Sequence, residues 1–289
     1  MKDYVIITDN TCDLDESFYS NYGVLAVTLP YTIDETVYGV ENNMSLKDFY
    51  NIMRDGKMPT TMACNPDAYE SAFRKYLDEG KNVLYIAFSS GLSSSYGNSM
   101  IVANELNEEY SDVKVTVVDT LSASMGEGLL VYKAAKLKEE GKSLEEVVDF
   151  IEKNKLNVCH FVTVDDLFHL HRGGRVSKAT AVVGSLINIK PIIHVNNEGK
   201  LISFAKARGR KKSLIELVNF MEKHTMNYPG ENDTIMISHG DCIDDVEFLI
   251  SEINKRFPGK EIIVSLASQT IGTHTGPGLV ALFFMGEYR

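Results

Sequence analysis

Residues 89–95 read Ser-Ser-Gly-Leu-Ser-Ser-Ser and follow an apolar run at 83–88. A strand that stops at a hydroxyl-rich turn and restarts as a helix offers free backbone N–H groups and Ser hydroxyls to an anion. Ser93 and Ser94 sit in the middle of that turn. The same residues can also serve only as a helix cap, because a Ser oxygen accepts from the first helical N–H groups. A second stretch with chemical content is QTIGTHTGPG at 269–278. Its glycines and proline predict an irregular loop around Thr273, His274 and Thr275. A His held there can donate one N–H to an anion while its other nitrogen is oriented elsewhere. Two basic stretches, Arg172-Gly173-Gly174-Arg175 and KARGRKK at 206–212, stand out in an acidic chain. They read either as solvated faces or as sites for phosphate or carboxylate, which Arg forks grip in pairs of hydrogen bonds.

Other chemistries fit less well. Ser93 as a nucleophile, with His274 as base and Asp9 or Asp119 behind it, would make a serine hydrolase. The stretch Gly91-Leu92-Ser93-Ser94-Ser95 lacks the second Gly of the nucleophile elbow, and of the two Asp candidates Asp9 precedes the Ser while Asp119 follows close behind it. No G-x-G-x-x-G follows the first strand, which argues against dinucleotide binding. A metal site would have to use His169 and His171 with Asp165 and Asp166, but residues two apart on a helix point away from each other.

The elements that must position these residues alternate. Strands are expected at 4–8, 24–29, 83–88 and 113–119, with helices at 14–22, 46–55, 66–79 and 129–140 and one after the Ser loop carrying Met100, Ile101 and Leu106. That alternation predicts a parallel sheet covered on both faces, with ligands at the carboxyl ends of the strands. Asp9, residues 89–95 and residues 119–124 all fall at such ends and are expected to share one crevice. The connections 57–64 and 120–128 read as loops. A charged helical segment at 141–155 leads to a second part. There a strand at 157–164, an apolar helix at 179–187 and a hairpin of 191–195 with 200–207 around Asn196-Asn197-Glu198-Gly199 are expected. A helix at 211–224, a strand at 234–238, a helix at 244–256 and a strand at 261–266 follow, and a terminal strand follows the His274 loop. The reading is α/β in two domains, a parallel N-terminal domain at 1–155 and a C-terminal domain with a mixed sheet at 156–289.

The bulk numbers bound the partners. A chain of 289 residues, 44% hydrophobic and 24% charged, can bury a large core. A formal charge of −11 argues against an extended contact with nucleic acid. No apolar run is long enough to span a membrane, and MKDYVIITDN runs directly into a strand pattern without a secretory leader. Cys12, Cys64, Cys159 and Cys242 show no metal spacing and suit free thiols in a reducing cytoplasm.

Seven segments together resemble the DegV family: TDNTCDL at 8–14, SSGLSSSY at 89–96, VVDTLSASMGEG at 117–128, HRGGRVS at 171–177, KPIIHV at 190–195, ARGRKK at 207–212 and GTHTGPG at 272–278. They span the chain, as one DegV-type unit from 3 to 288. The resemblance implies a cytoplasmic, non-enzymatic carrier that holds a long-chain fatty acid between its two domains, with no other cofactor or metal. It implies that the acyl carboxylate is presented to a fatty acid kinase, whose acyl phosphate feeds phospholipid synthesis. It permits a passing encounter with a membrane surface. Carried over by motif, Thr61, Ser93 and His274 would hold the carboxylate. Ser94, Thr273 and Arg175 would lie near the head group, and Arg208 and Arg172 would dock the kinase. One departure from the family pattern is Met62-Ala63, where many members carry Ser-Gln. A serine hydrolase using Ser93 and His274, or a binder of another lipid-like metabolite, are the alternative readings.

Overall fold

The computed structural model describes residues 3–165, 167–177 and 188–289. The helix expected at 179–187, and Asp166, lie outside the described residues. Strand β1 (Tyr4–Asp9) is buried at every position, as a central parallel strand must be. With β2 (Leu25–Val27), β6 (Asn82–Ala87) and β7 (Val115–Asp119) it forms a four-stranded parallel sheet in the order β2-β1-β6-β7. Between β1 and β2 lies α1 (Glu16–Tyr22), capped by the Asp15 carboxylate and stopped by Gly23 in the left-handed region.

The next segment departs from the expected loop at 57–64. Strands β3 (Tyr31–Ile33) and β4 (Thr36–Tyr38) form a short hairpin. Beyond α2 (Leu46–Arg54), capped by Ser45, strand β5 (Thr60–Thr61) pairs with β3. Strands of two and three residues are too short to show a period in sequence. Their pairing is decided by the neighbour across the sheet. Helix α3 (Pro66–Asp78) starts with Asn65 as cap and Pro66 in the first turn, as expected.

Strand β6 (Asn82–Ala87) leads through the Ser loop into α4 (Ser95–Glu109), and β7 (Val115–Asp119) leads into α5 (Met125–Glu139). The loop expected at 120–128 therefore ends at Ser124. Every residue from Met125 to Val131 is buried, because α5 packs on β6 of the parallel sheet and on three strands of a second sheet. A helix enclosed in this way cannot keep a polar face there. One continuous core runs through it, joining Ile6 and Leu84 on one side to Leu129, Val162 and Phe283 on the other. Helix α6 (Leu144–Asn154) opens with a complete Ser143–Glu146 capping box.

The second sheet is mixed. It contains β8 (Val158–Thr163), β9 (Ile189–Val195), β10 (Leu201–Arg208), β11 (Thr234–His239), β12 (Glu261–Leu266) and β13 (Val280–Met285), in the order β10-β9-β8-β13-β11-β12. Only β11 and β12 run parallel among its pairings. Helix α7 (Phe168–Arg172) follows β8, α8 (Arg210–Thr225) follows the expected β9–β10 hairpin, and α9 (Ile243–Arg256) follows β11.

Residues 269–275 correct the reading of an irregular Gly-rich loop, for they form a helix, α10 (Gln269–Thr275). The Ser268 hydroxyl caps it by accepting from the Ile271 N–H. Gly272 serves close packing, since a Cβ there would stand 2.7 Å from the Tyr50 hydroxyl. Only Gly276 and Gly278 take up the left-handed backbone that the composition suggested.

Two further ties cross between the sheets. Ser89 Oγ donates to the Gly199 carbonyl at 2.8 Å, so the Ser loop is fastened to the β9–β10 turn. Arg289 donates to the carbonyls of Leu121 at 2.6 Å and Asn196 at 3.4 Å.

Candidate functional site

A cavity opens between the parallel sheet's loops and the inner face of the mixed sheet. Thr61, Ser93, Ser94, Arg175 and His274 all line one part of it. Thr61 comes from β5, Ser93 and Ser94 from the β6–α4 loop, and His274 from the last turn of α10. The two stretches that chemistry singled out, about 180 residues apart in sequence, thus meet with a third, at 57–64, that residue chemistry left as a loop and that only the family resemblance marked through Thr61. Thr61 Oγ1 and His274 Nε2 are hydrogen-bonded at 2.8 Å.

His274 is half-buried and neutral. Burial, then the charges of Arg175 and Arg172, pull its pKa down to about 3. Among the described residues its Nδ1 has no partner, and it packs on Gly173, where a Cβ would stand 2.1 Å away. Gly173 is therefore needed for α7 to approach α10. When Nε2 carries the proton, it donates to Thr61 and leaves the Thr61 hydroxyl hydrogen free for an anion.

Arg172 holds this geometry from behind. Its guanidinium donates to the Pro59 carbonyl at 2.7 Å and the Thr273 carbonyl at 3.3 Å, tying the approach to β5 to α10. Arg175 lines the cavity and donates from Nε to the Leu92 carbonyl at 3.1 Å. Ser93 Oγ donates to Ser95 Oγ at 2.9 Å and accepts from the Ser95 N–H at 3.1 Å, while the Ser94 side chain makes no capping bond. Thr273 is turned away, its hydroxyl donating to the Gln269 carbonyl at 2.8 Å. Arg208 is exposed at the end of β10, whereas Arg210 beside it is paired with Asp245 at 2.8 Å. Met62 and Ala63 both line the cavity, so the departure from the family pattern bears on its wall.

The arrangement does not assemble a triad. His274 Nε2 faces Thr61 rather than Ser93, and its Nδ1 meets no carboxylate among the described residues. Asp119 accepts instead from the N–H groups of Ser90 at 3.2 Å and Leu121 at 2.9 Å. Asp9 is likewise engaged elsewhere, which corrects its expected place in the shared crevice. Its carboxylate accepts from the Phe88 N–H at 2.8 Å and from the hydroxyl of Tyr85. Nearby, Glu127 accepts from Thr8 at 2.9 Å and Thr11 at 3.1 Å, and Asp13 accepts from the Ser268 N–H at 2.8 Å. Burial raises the pKa of all three carboxyls, that of Asp13 to about 7. Asp13 and Glu127 escaped the sequence reading because only the fold brings residues 9, 13 and 127 together.

Much of the remaining wall is apolar, although Ser124, His160, Thr270 and Thr275 also line it. Val162 on β8, Ile193 and Val195 on β9, and Ala281 and Phe283 on β13 line it together with Phe88 and Ile271. No motif marks them. Their signal is that every second residue of a strand shares a face, and it needs the sheet order before it can be read. Among the described residues no group of three His, Cys, Asp or Glu is placed to hold a metal ion.

Comparison with known proteins is decisive for the family. The model described as "Uncharacterised protein, DegV family" matches residues 3–287. The chain belongs to the DegV family. A DegV domain-containing protein of Clostridium perfringens is 44% identical over 291 residues, covering 100% of this chain and 99% of that protein. Among solved structures, one described as fatty acid binding of a DegV family protein from Thermus thermophilus matches with a TM-score of 0.87 at 29% identity, over 99% of this chain and 100% of that one. A fatty acid binding DegV family protein from Streptococcus agalactiae matches with a TM-score of 0.86 at 28% identity, over the same shares. The α/β architecture with one parallel and one mixed sheet is that of these DegV proteins.

Proposed function

We propose that this DegV-family chain is a fatty-acid carrier without catalysis of its own. The acyl chain lies between a unit at 1–155 and a unit at 156–289, with its carboxylate at Thr61, Ser93 and His274. The observation that carries this reading is the 2.8 Å contact of Thr61 with His274 at the polar part of a largely apolar cavity. The Thr61 hydroxyl, whose hydrogen is left free when Nε2 of neutral His274 donates to it, and the Ser93 hydroxyl can supply donors that a carboxylate needs on leaving water, with Arg175 on the same wall. The fatty-acid binding named for the Thermus and Streptococcus relatives supports the choice of ligand.

The energetics divide the labour. At about 0.8 kcal/mol per buried CH₂, some 14 methylenes supply on the order of 11 kcal/mol before ordering costs. One head-group hydrogen bond adds only about 1–2 kcal/mol. The tail therefore retains the ligand, and the head group sets its orientation. Orientation matters if the carboxylate is to be delivered to a fatty acid kinase in the cytoplasm for acyl-phosphate formation. Exposed Arg208 is the docking residue in this reading. Arg172 is the second, although its guanidinium also ties β5 to α10.

Native mass spectrometry of the purified protein tests the proposal. The expected result is one long-chain fatty acid per chain, released on denaturation. A chain that carries none, and takes up none when offered oleic acid, removes the reading.

A further inference from the structure

His160 is a polar residue in the apolar part of the cavity wall. It is 1% exposed, lines the cavity from β8, and is the partner of Phe283 in the β8–β13 register. The inner face of the mixed sheet presents two rows there. The first contains Ile193, Val162 and Ala281, and the second contains Leu201, Val195, His160 and Phe283. Cavity-lining Leu279 stands four residues after Thr275, next to the His274 end. From Leu279 to Phe283 the strand advances roughly 13 Å. An acyl chain with its carboxylate at Thr61 and His274 passes the first row before it meets His160, well down its length.

The hydrogen bonding of His160 fixes what it can offer. Nδ1 lies 2.9 Å from the Val158 carbonyl, which only accepts, so Nδ1 carries the proton. Burial, with Arg289 and His194 nearby, keeps the ring neutral. Nε2 is then a lone pair, buried and without a partner among the described residues. The ring is held in place edge-on to Phe283, with centroids 5.5 Å apart. Gly126 packs against the Nε2 end of the ring, where a Cβ would stand 2.1 Å from Nε2, so only a glycine leaves the ring its place against the helix. A buried acceptor in an apolar wall is unfavourable unless something donates to it. Ser124, the neighbouring polar group of the wall, is already engaged with Asp13 and Ser238.

We infer that the cavity takes acyl chains bearing a hydroxyl near mid-chain, with His160 Nε2 accepting the hydroxyl hydrogen. This deepens the carrier proposal and rests on it. His160 would then distinguish hydroxylated from plain saturated tails, whereas the Thr61–His274 end is blind to the tail.

Competition on the delipidated protein, read by calorimetry, tests it with three ligands: stearic acid, stearic acid hydroxylated mid-chain, and stearic acid hydroxylated beside the carboxyl. The mid-chain isomer is expected to bind about tenfold tighter than the isomer hydroxylated beside the carboxyl, equivalent to about 1.4 kcal/mol. His160→Phe should erase that difference while still binding stearic acid. The wild-type comparison of the two isomers stands even where the variant fails to fold. A second readout is the ¹⁵N shift of His160 Nε2, expected to move with the mid-chain isomer only. Equal binding of the two hydroxy isomers, with stearic acid bound normally, overturns this inference and means that a trapped water satisfies Nε2. If none of the three acids binds, the carrier reading falls and this inference falls with it.

Discussion

Two polar clusters sit near the carboxyl ends of the parallel strands, and they are built in opposite ways. In one, Asp9, Asp13 and Glu127 are fully buried and their oxygens accept from hydroxyls and backbone N–H groups of the protein itself. In the other, Thr61, Ser93 and His274 face a cavity, and His274 Nδ1 is left without a partner among the described residues. The first cluster is closed to ligands, because its hydrogen-bonding capacity is used internally. The second keeps donors available. Charge would have pointed to the carboxylates as the functional group. Satisfaction of hydrogen bonds points to the hydroxyls and the His, and the satisfied cluster becomes a joint that holds α10 in place through Asp13 and Ser268.

If that contrast is right, mutations in the closed cluster should be felt as stability and those in the open one as binding. The largest effect is expected for Asp9→Ala, which strands the Phe88 N–H and the Tyr85 hydroxyl in the core. Each unpaired buried donor costs about 1–3 kcal/mol, so the loss should reach about 3 kcal/mol in urea unfolding. A change below about 0.5 kcal/mol would mean that the cluster is not structural.

Next comes pH. The Asp13 pKa rises from 3.8 to about 7 on folding, so the folded state holds this proton more tightly than the unfolded one. Its contribution is fully present below about pH 4 and is lost as pH climbs to about 7. His274 acts with the opposite sign. Its pKa falls from 6.5 to about 3, and stability is lost as pH drops below about 6.5. Subtracting the profile of Asp13→Asn from that of the wild type isolates the Asp13 limb. The difference should fall between about pH 4 and 7, and a flat difference would detach Asp13 from the joint.

Smaller effects belong to the open cluster. Thr61→Ala should weaken fatty-acid binding by about 1–2 kcal/mol with the unfolding midpoint little changed, as measured by calorimetry with a single acyl chain. A loss much larger than this would move the affinity from the tail to the head group. The smallest effect on the molecule itself is expected for Arg208→Ala, which should leave both stability and bound lipid within error while slowing transfer to the kinase. Lipid lost from that variant would make Arg208 a structural residue instead.

The alternation of strands and helices, the helix at 66–79 and the hairpin turn at 196–199 were legible because each is local. Propensity, capping and turn geometry act over a few residues, so the chain states them directly. The same holds for the Ser loop and for His274 as residues able to meet an anion. Sequence also carried the family, through segments spread over its whole length.

What sequence could not carry was the state of each polar group. The Gly-rich stretch at 269–278 became a helix because Ser268 caps it and Tyr50 leaves room only for Gly272 beside it. Thr61, singled out in sequence only through the family resemblance, reaches the cavity on a strand too short to read that pairs with β3. Asp9 left the crevice because Tyr85 and the Phe88 N–H engage it. The apolar wall and His160 within it emerged only once the order of the mixed sheet set which faces look inward. A side chain's type and its local backbone are written in the chain. Whether its hydrogen bonds are spent on the protein or kept for a ligand depends on neighbours a hundred residues away, and only the folded structure decides that.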